Sequence, residues 1–213
     1  MYNESKAMNM TAVGMLQKLK MIQAISSNIS NTNTIGYQRQ IPESISFGSV
    51  LNETAFMKDT SQGQLKKTGN KFDVAIEGNA YFLIETKDGI ATSKNGNFHL
   101  NEKGLLVDSA GNEIVVIEKS DKPLSFAKNY DIKINQQGEI SIGAERYGRL
   151  ALQIQDNKPV RVHQGFVEGS NVNLIDEMVS LQMTFRAFEA SEKALGMEAS
   201  VDRDLIEKYG RNV

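Results

Sequence analysis

Two heptad seams, one near each end of the chain, constrain this fold more than any other feature of the sequence. Met8, Ala12, Met15, Leu19, Ile22, Ser26 and Ile29 recur at alternating spacings of four and three, which lines them up on one stripe of a helix. Leu174, Met178, Leu181, Phe185, Phe188, Glu192, Leu195, Ala199, Asp202 and Ile206 repeat the pattern at the other end. A lone helix is marginal in water, so each must cover its stripe. The simplest expectation pairs the first helix with the last as a coiled coil, and leaves an outer strip for other copies of the chain.

The ends of these helices are marked. The first runs into Ser26–Arg39, "SSNISNTNTIGYQR", where amides and hydroxyls compete for backbone groups. Gly36 is expected to take a left-handed conformation that turns the chain out of the helical layer. The last helix is capped by Asn171 or Asn173, and Asp176 and Glu177 suit the positive end of its dipole.

Between the helices the period changes. From Phe72 to Val162 short alternating runs such as "AYFLIET", "NEIVVIE" and "GEISIG" are separated by "KDG", "NGN", "SAGN" and "NQQG". Such runs and turn residues predict strands joined by tight turns. The expected fold class is α+β. Residues 1–35 and 172–213 form the paired terminal helices, 36–71 and 163–171 are linkers, and 72–162 form one central antiparallel β domain, barrel- or sandwich-like.

Composition excludes several function classes. The 213 residues carry a net charge of −2, without the basic excess of a general nucleic-acid binder. There is no cysteine, hence no disulfide, thiolate metal site or cysteine nucleophile. No run approaches the ~20 apolar residues of a membrane span, and the N-terminal "MYNESKAMNM" does not read as a cleaved secretory signal. His99 and His163 lack partners at metal-ligand spacing and are expected on or near the surface. "DSAGNE" (Asp108–Glu113) lacks the alternating acids of a calcium loop and reads as a hairpin turn. No phosphate-binding loop or nucleophile elbow is present, so no catalytic activity and no cofactor are expected. Asn3, Asn28 and Asn52 match the glycosylation pattern, and the match is discounted.

Four stretches together carry a resemblance. "SNISNTNTIGYQR" is similar to an Asn-x-x-Asn-x-x-Thr-x-Gly-Tyr/Phe signature, on Asn28, Asn31, Thr34, Gly36 and Tyr37. "SQGQLKKTGNKFDVAIEGNAYFLI" (Ser61–Ile84), "KNGNFHLNEKGLLVDSAGNEIV" and "VEGSNVNLIDEMVSLQMTFRAFEASEKAL" follow in order. This succession resembles the bacterial flagellar rod and hook protein family. Two departures stand out: Ala80 occupies the place of a family glycine, and Tyr81 replaces a common Phe. Only Gln40 to Thr60 intervene between the first two signatures, which makes the chain most like the proximal rod members.

The resemblance implies a structural subunit that polymerises through its terminal helices into an axial tube, transmitting torque and conducting exported subunits. Its implied partners are copies of itself, neighbouring rod and hook subunits and the flagellar export apparatus, with no nucleic acid and no membrane insertion. Its implied place is the periplasmic rod, reached without a cleaved signal peptide. The alternatives are a distal rod or hook member, or a secreted β-rich binding module on a helical stalk. Candidate assembly residues are the signature set Asn28, Asn31, Thr34, Gly36 and Tyr37. Candidate packing residues are Met15, Leu19, Ile22, Met178, Leu181, Phe185, Phe188 and Leu195, and the C-terminal signature adds Ser170, Asn171, Val172 and Glu177.

Overall fold

The computed structural model describes residues 2–47, 51–120, 132–156 and 158–210, with side chains at 10–42, 56–120, 132–156, 158–197 and 200. Helix α1 (Tyr2–Ser30) is followed by β1 (Gln40–Phe47), β2 (Leu51–Lys58), β3 (Leu65–Lys67), β4 (Val74–Glu77), β5 (Ala80–Thr86), β6 (Gly89–Ser93), β7 (His99–Leu100) and β8 (Leu106–Val107). Then come β9 (Glu113–Ile114), β10 (Val116–Ile117), β11 (Ile132–Ile134), β12 (Glu139–Ile142), β13 (Glu145–Leu150), β14 (Leu152–Ile154), β15 (Arg161–Gln164), β16 (Phe166–Glu168) and helix α2 (Leu174–Gly210). The class is α+β, as the two periodicities predict.

The chain divides into two compact units: Met1–Ser30 with Gln40–Lys58 and Asn173–Val213, and Asn31–Arg39 with Asp59–Val172. The segments expected as linkers are structured. Within 36–71 lie β1, β2 and β3, and within 163–171 lie the end of β15 and all of β16. Pro42 lies inside β1. It is tolerated because β1 and β2 pair only with each other, Pro42 opposite Phe56, so every strand there is an edge.

In the β unit the apolar faces close one core around Val74, Ile76, Phe82, Ile84, Phe98, Ile114, Ile140, Tyr147 and Leu150. Phe82 and Phe98 meet edge to face, with ring centroids 5.1 Å apart. Of the barrel- and sandwich-like arrangements expected, a closed barrel does not form among the described strands. The strands make a four-stranded sheet in the order β10-β13-β12-β11, a six-stranded sheet built on β14-β5-β9-β8-β7 with β6 also on β5, and the pairs β15-β4 and β16-β3. Closure needs an unbroken ladder around the ring, and strands of two or three residues leave ends instead. Side-chain amides cover two of those ends. Gln164 accepts from Ile134 N (3.0 Å) and donates to Ile132 O (2.8 Å) at the rim of β11. Gln62 donates to Ile76 O (2.6 Å) and accepts from Gly78 N (3.2 Å) beside β4. Both act as a strand would.

Ala80 in place of a glycine costs the turn nothing. The left-handed residue is Gly78 (φ 118°), and Ala80 is not among the residues with positive φ. Its methyl group is buried in the core.

In the helical unit α1 and α2 run antiparallel. Asn28, near the end of α1, bonds Glu177 in the first turn of α2 (3.2 Å), and Lys18, further back, bonds Ser191, further on (3.0 Å). The two seams do not simply close on each other within the chain. Fully buried on α1 are Ala24, Ile25 and Asn28. On α2 they are Glu177 and Thr184, with half-buried Ser191 another seven residues on. Among the described side chains, polar groups therefore share the buried stripe with half-buried apolar ones, while several apolar residues of α2 face outward.

Candidate functional site

Each packing residue can now be placed. On α1, Met15 and Ile22 are half-buried and Leu19 is exposed; on α2, Leu181, Phe188 and Leu195 are half-buried. Met178 and Phe185 are 57 % and 46 % exposed, and Leu174, Ile175, Val179 and Met183 join them. Helical steps of 100° spread these six side chains over roughly half the circumference of the first turns of α2. Met8, Ala199, Asp202 and Ile206 of the seams, and Asn3 and Asn52, have side chains outside the described residues.

The inward polar stripe holds a fixed arrangement. Asn28 is 1 % exposed. Its Nδ2 donates to Gln40 O (2.9 Å) and to Glu177 Oε2 (3.2 Å), and its Oδ1 accepts from Gln40 N (2.8 Å). The side-chain amide thus pairs with one residue of β1 as a neighbouring strand does, and fixes where the ribbon starts relative to α1. Asn173 caps α2: its Oδ1 accepts from Ile175 N (3.1 Å) and its carbonyl from Glu177 N (3.0 Å). Thr184 and Ser191 turn their hydroxyls onto the carbonyls of Ser180 and Ala187, which satisfies them inside the interface.

In the β unit the four sequence signatures, scattered along the chain, converge. Gly36 has φ 68°, and a Cβ there would stand 2.4 Å from Asn95 N. Only glycine fits both the conformation and the approach. Asn31 and Thr34 form the preceding turn, Thr34 N donating to Asn31 O (3.1 Å) and its hydroxyl to Asn31 Oδ1 (3.0 Å). Gly36 N then donates to Glu168 O (2.8 Å). The Glu168 side chain accepts from Gly63 N (3.0 Å) and pairs with Lys94 Nζ (3.4 Å). Gly63 is as confined as Gly36: a Cβ would meet Gly169 O at 2.0 Å.

Lys94 and Glu168 are both buried. Burial raises the Glu168 carboxyl above its ordinary range, against the Gly63 amide and the Lys94 ammonium, which pull it down. Lys94 also donates to Gly78 O (3.2 Å) and lies 5.2 Å from the centre of the Tyr81 ring. The Tyr81 hydroxyl accepts from Gln38 Nε2 (2.9 Å), so the departure from Phe adds a link to the first signature. Asp73, buried in the second signature, accepts from Asn70 Nδ2 (3.1 Å) and Asn97 Nδ2 (2.8 Å) and from the Thr68 hydroxyl.

The C-terminal signature completes the junction. Asn171 Oδ1 accepts from Arg39 N (2.7 Å), and Nδ2 donates to Asp59 O (3.0 Å), Ser61 O (2.9 Å) and Ser61 Oγ (3.2 Å). Asn171 N faces Tyr37 O at 3.4 Å. Ser170 Oγ accepts from Val172 N (3.3 Å), and Val172 is buried. Asp59 bonds Ser61, which holds its carboxyl below the usual range. Sequence reasoning singled out Gly36, Tyr37 and Asn171 but missed Gly63, Lys94 and Glu168. Those three lie inside the same signatures; their partnership across 74 and 105 residues is invisible in one dimension.

The histidines take no part. His99 is exposed, and His163 pairs with Glu77 (2.7 Å) across β15 and β4. Among the described residues no group of three or more His, Cys, Asp or Glu could hold a metal. "DSAGNE" is a hairpin turn, in which Asp108 Oδ1 accepts from Ala110 N and Asn112 N. No described helix is long and apolar enough to cross a membrane.

Comparison with known sequences agrees with this geometry. Residues 75–142 match the flagellar hook protein FlgE/F/G D1 domain, and residues 163–207 match the flagellar basal body rod FlgEFG protein C-terminal region. The flagellar basal-body rod protein FlgF of Rhizobium meliloti is 32 % identical over 80 % of this chain and 83 % of its own length. FlgF of Mesorhizobium japonicum is 29 % identical over 89 % and 91 %. The flagellar basal-body rod protein FlgG of Bacillus subtilis is 25 % identical over 87 % and 92 %. Related at 32 % identity over four fifths of its length, the chain belongs to the flagellar basal-body rod protein family, structural proteins of the bacterial motility organelle.

Proposed function

We propose that this rod-family subunit polymerises through the outward apolar surface of its terminal helices into the axial tube of the basal body, which transmits torque and conducts exported subunits. The observation that carries the reading is the apolar surface that α2 shows to solvent, with Ile175 at 72 % and Met183 at 66 % exposed, while Glu177 and Thr184 are buried on the stripe they share with half-buried Leu181 and Phe188. A helix apolar around so much of its girth belongs in an interior. Each such side chain gains about 1.5–3 kcal/mol on burial, so a few neighbours stabilise the array substantially. Contacts of this kind are heterologous and extend rather than close. In the assembled layer the heptad seams pair as coiled coils.

The partners in this reading are other copies, adjoining rod and hook subunits and the export apparatus, through which the chain travels. It acts as a proximal rod member, because only Gln40 to Thr60 separate its first two signatures. It performs no catalytic step and takes no cofactor. Electron microscopy of basal bodies from a strain lacking this chain tests the reading. Truncated rods without hooks are expected; complete rods bearing hooks refute it.

A further inference from the structure

The chain crosses between the β unit and the helical unit at 30–31, 39–40, 58–59 and 172–173, each an exit from the β unit in one chain direction or the other. Three of these four exits lie together. The segments Tyr37–Arg39, Asp59–Ser61 and Asn171–Val172 come together because a single side-chain amide bonds two of them from the third. Asp59 N adds a bond to Arg39 O (2.8 Å). The β1–β2 ladder stops at Gln40 opposite Lys58, one residue short of Arg39 and Asp59, and no strand pairing ties either of them to Asn171.

We propose that Asn171 is a positioning residue for assembly: its amide clamps three exits of the β unit and fixes the direction in which each leaves. The requirement is chemical. The clamp needs an acceptor for Arg39 N and, on the same planar group, donors for the carbonyls of Asp59 and Ser61. Asn meets both needs; Asp lacks the donors, and Ser lacks the reach and the second donor. Any pull carried by the covalent chain from the helical unit enters the β unit through these exits. A loose clamp lets each exit swing separately, and the helices are then presented to neighbouring copies in many orientations rather than one.

Hydrogen exchange on the full-length chain, read by NMR, tests the clamp directly. In Asn171→Ala the amide of Arg39 should exchange faster by about tenfold or more, since it loses its acceptor. Amides in Val74–Glu77, which belong to the core ladder, should keep their rates. In Asn171→Asp the Arg39 amide keeps an acceptor and should stay protected. Unchanged Arg39 exchange in Asn171→Ala overturns the clamp. Equal acceleration at Val74–Glu77 also overturns it, because the residue then serves overall stability.

The assembly arm rests on the rod-subunit reading. It compares swimming in soft agar after a deletion is complemented with wild type or with Asn171→Ala. If the deletion itself swims, the rod reading fails and the exchange result stands alone. If wild type restores swimming, Asn171→Ala should spread less than half as far; full restoration, with the Arg39 amide released, overturns the positioning role.

Discussion

Phe82 and Phe185 carry the same side chain into opposite surroundings. Phe82 is 1 % exposed, stacked on Phe98 in the β core; Phe185 is 46 % exposed on α2. The β unit hides its apolar groups and pairs its buried charges, Lys94 with Glu168. The helical unit buries Asn28, Glu177 and Thr184 beside Ala24 and Ile25 and shows Met178, Met183 and Phe185 to solvent. On the proposed reading, a surface of that second kind is completed by neighbours. The comparison separates folding from assembly within one chain, and mutations can test that separation.

The largest expected effect is the contrast itself. Phe82→Ala should lower the unfolding free energy by about 3–5 kcal/mol, through lost burial and the cavity left behind. Phe185→Ala should lower it by less than about 1 kcal/mol in the free chain, yet reduce incorporation into basal bodies. Urea melts of the purified variants read the first, and blotting of isolated basal bodies reads the second. Equal losses of stability would break the distinction between the units.

Gly36→Ala comes next. The new Cβ must leave a left-handed conformation and push backbone aside at Asn95, at a cost of about 2–3 kcal/mol. A melt unchanged from wild type would show that the junction yields more easily than its geometry implies.

A smaller effect is the pH dependence of the buried pair. The folded state raises the Glu168 carboxyl above its ordinary 4.5, chiefly by burial. The folded chain therefore holds that proton more tightly than the unfolded chain. Stability from this group is complete below 4.5 and is lost as pH rises through the raised value. Urea midpoints of wild type should fall relative to Glu168→Gln as pH rises above 4.5. Parallel curves for the two proteins would remove Glu168 as the source.

The smallest effect is at Asp59, which lies nearer the surface. Its bonds to Ser61 hold the carboxyl below 3.8, so its contribution is present above 3.8 and is lost as pH falls through the depressed value. Asp59→Asn should differ slightly from wild type near neutrality and converge with it in strong acid. The same melts check it.

Much of this molecule is legible residue by residue. Spacings of four and three yield both helices, Asn171 or Asn173 stands as the cap of α2 and the structure takes Asn173, and the glycine-rich turns yield the hairpins, including that at Asp108. Gly36 is readable as a left-handed turn because its neighbours are polar and a helix has just ended. The ribbon Gln40–Lys58 was not readable, since Pro42 breaks the strand pattern and only the absence of a third strand makes it harmless. A closed barrel looked reasonable because local alternation says which way side chains point, not whether the outer strands meet.

The heptad pattern by itself determined that two long helices form and that each has an apolar stripe. Those are properties of a repeat that matches the helical turn. Only the tertiary structure decided which face of α2 turns toward α1, because the Asn28–Glu177 contact and the Lys18–Ser191 bond set the rotation. It alone decided that Glu168 and Asn171 draw four signatures into one junction. Hydrogen bonds act over about 3 Å in space, and distance along the sequence carries no record of them.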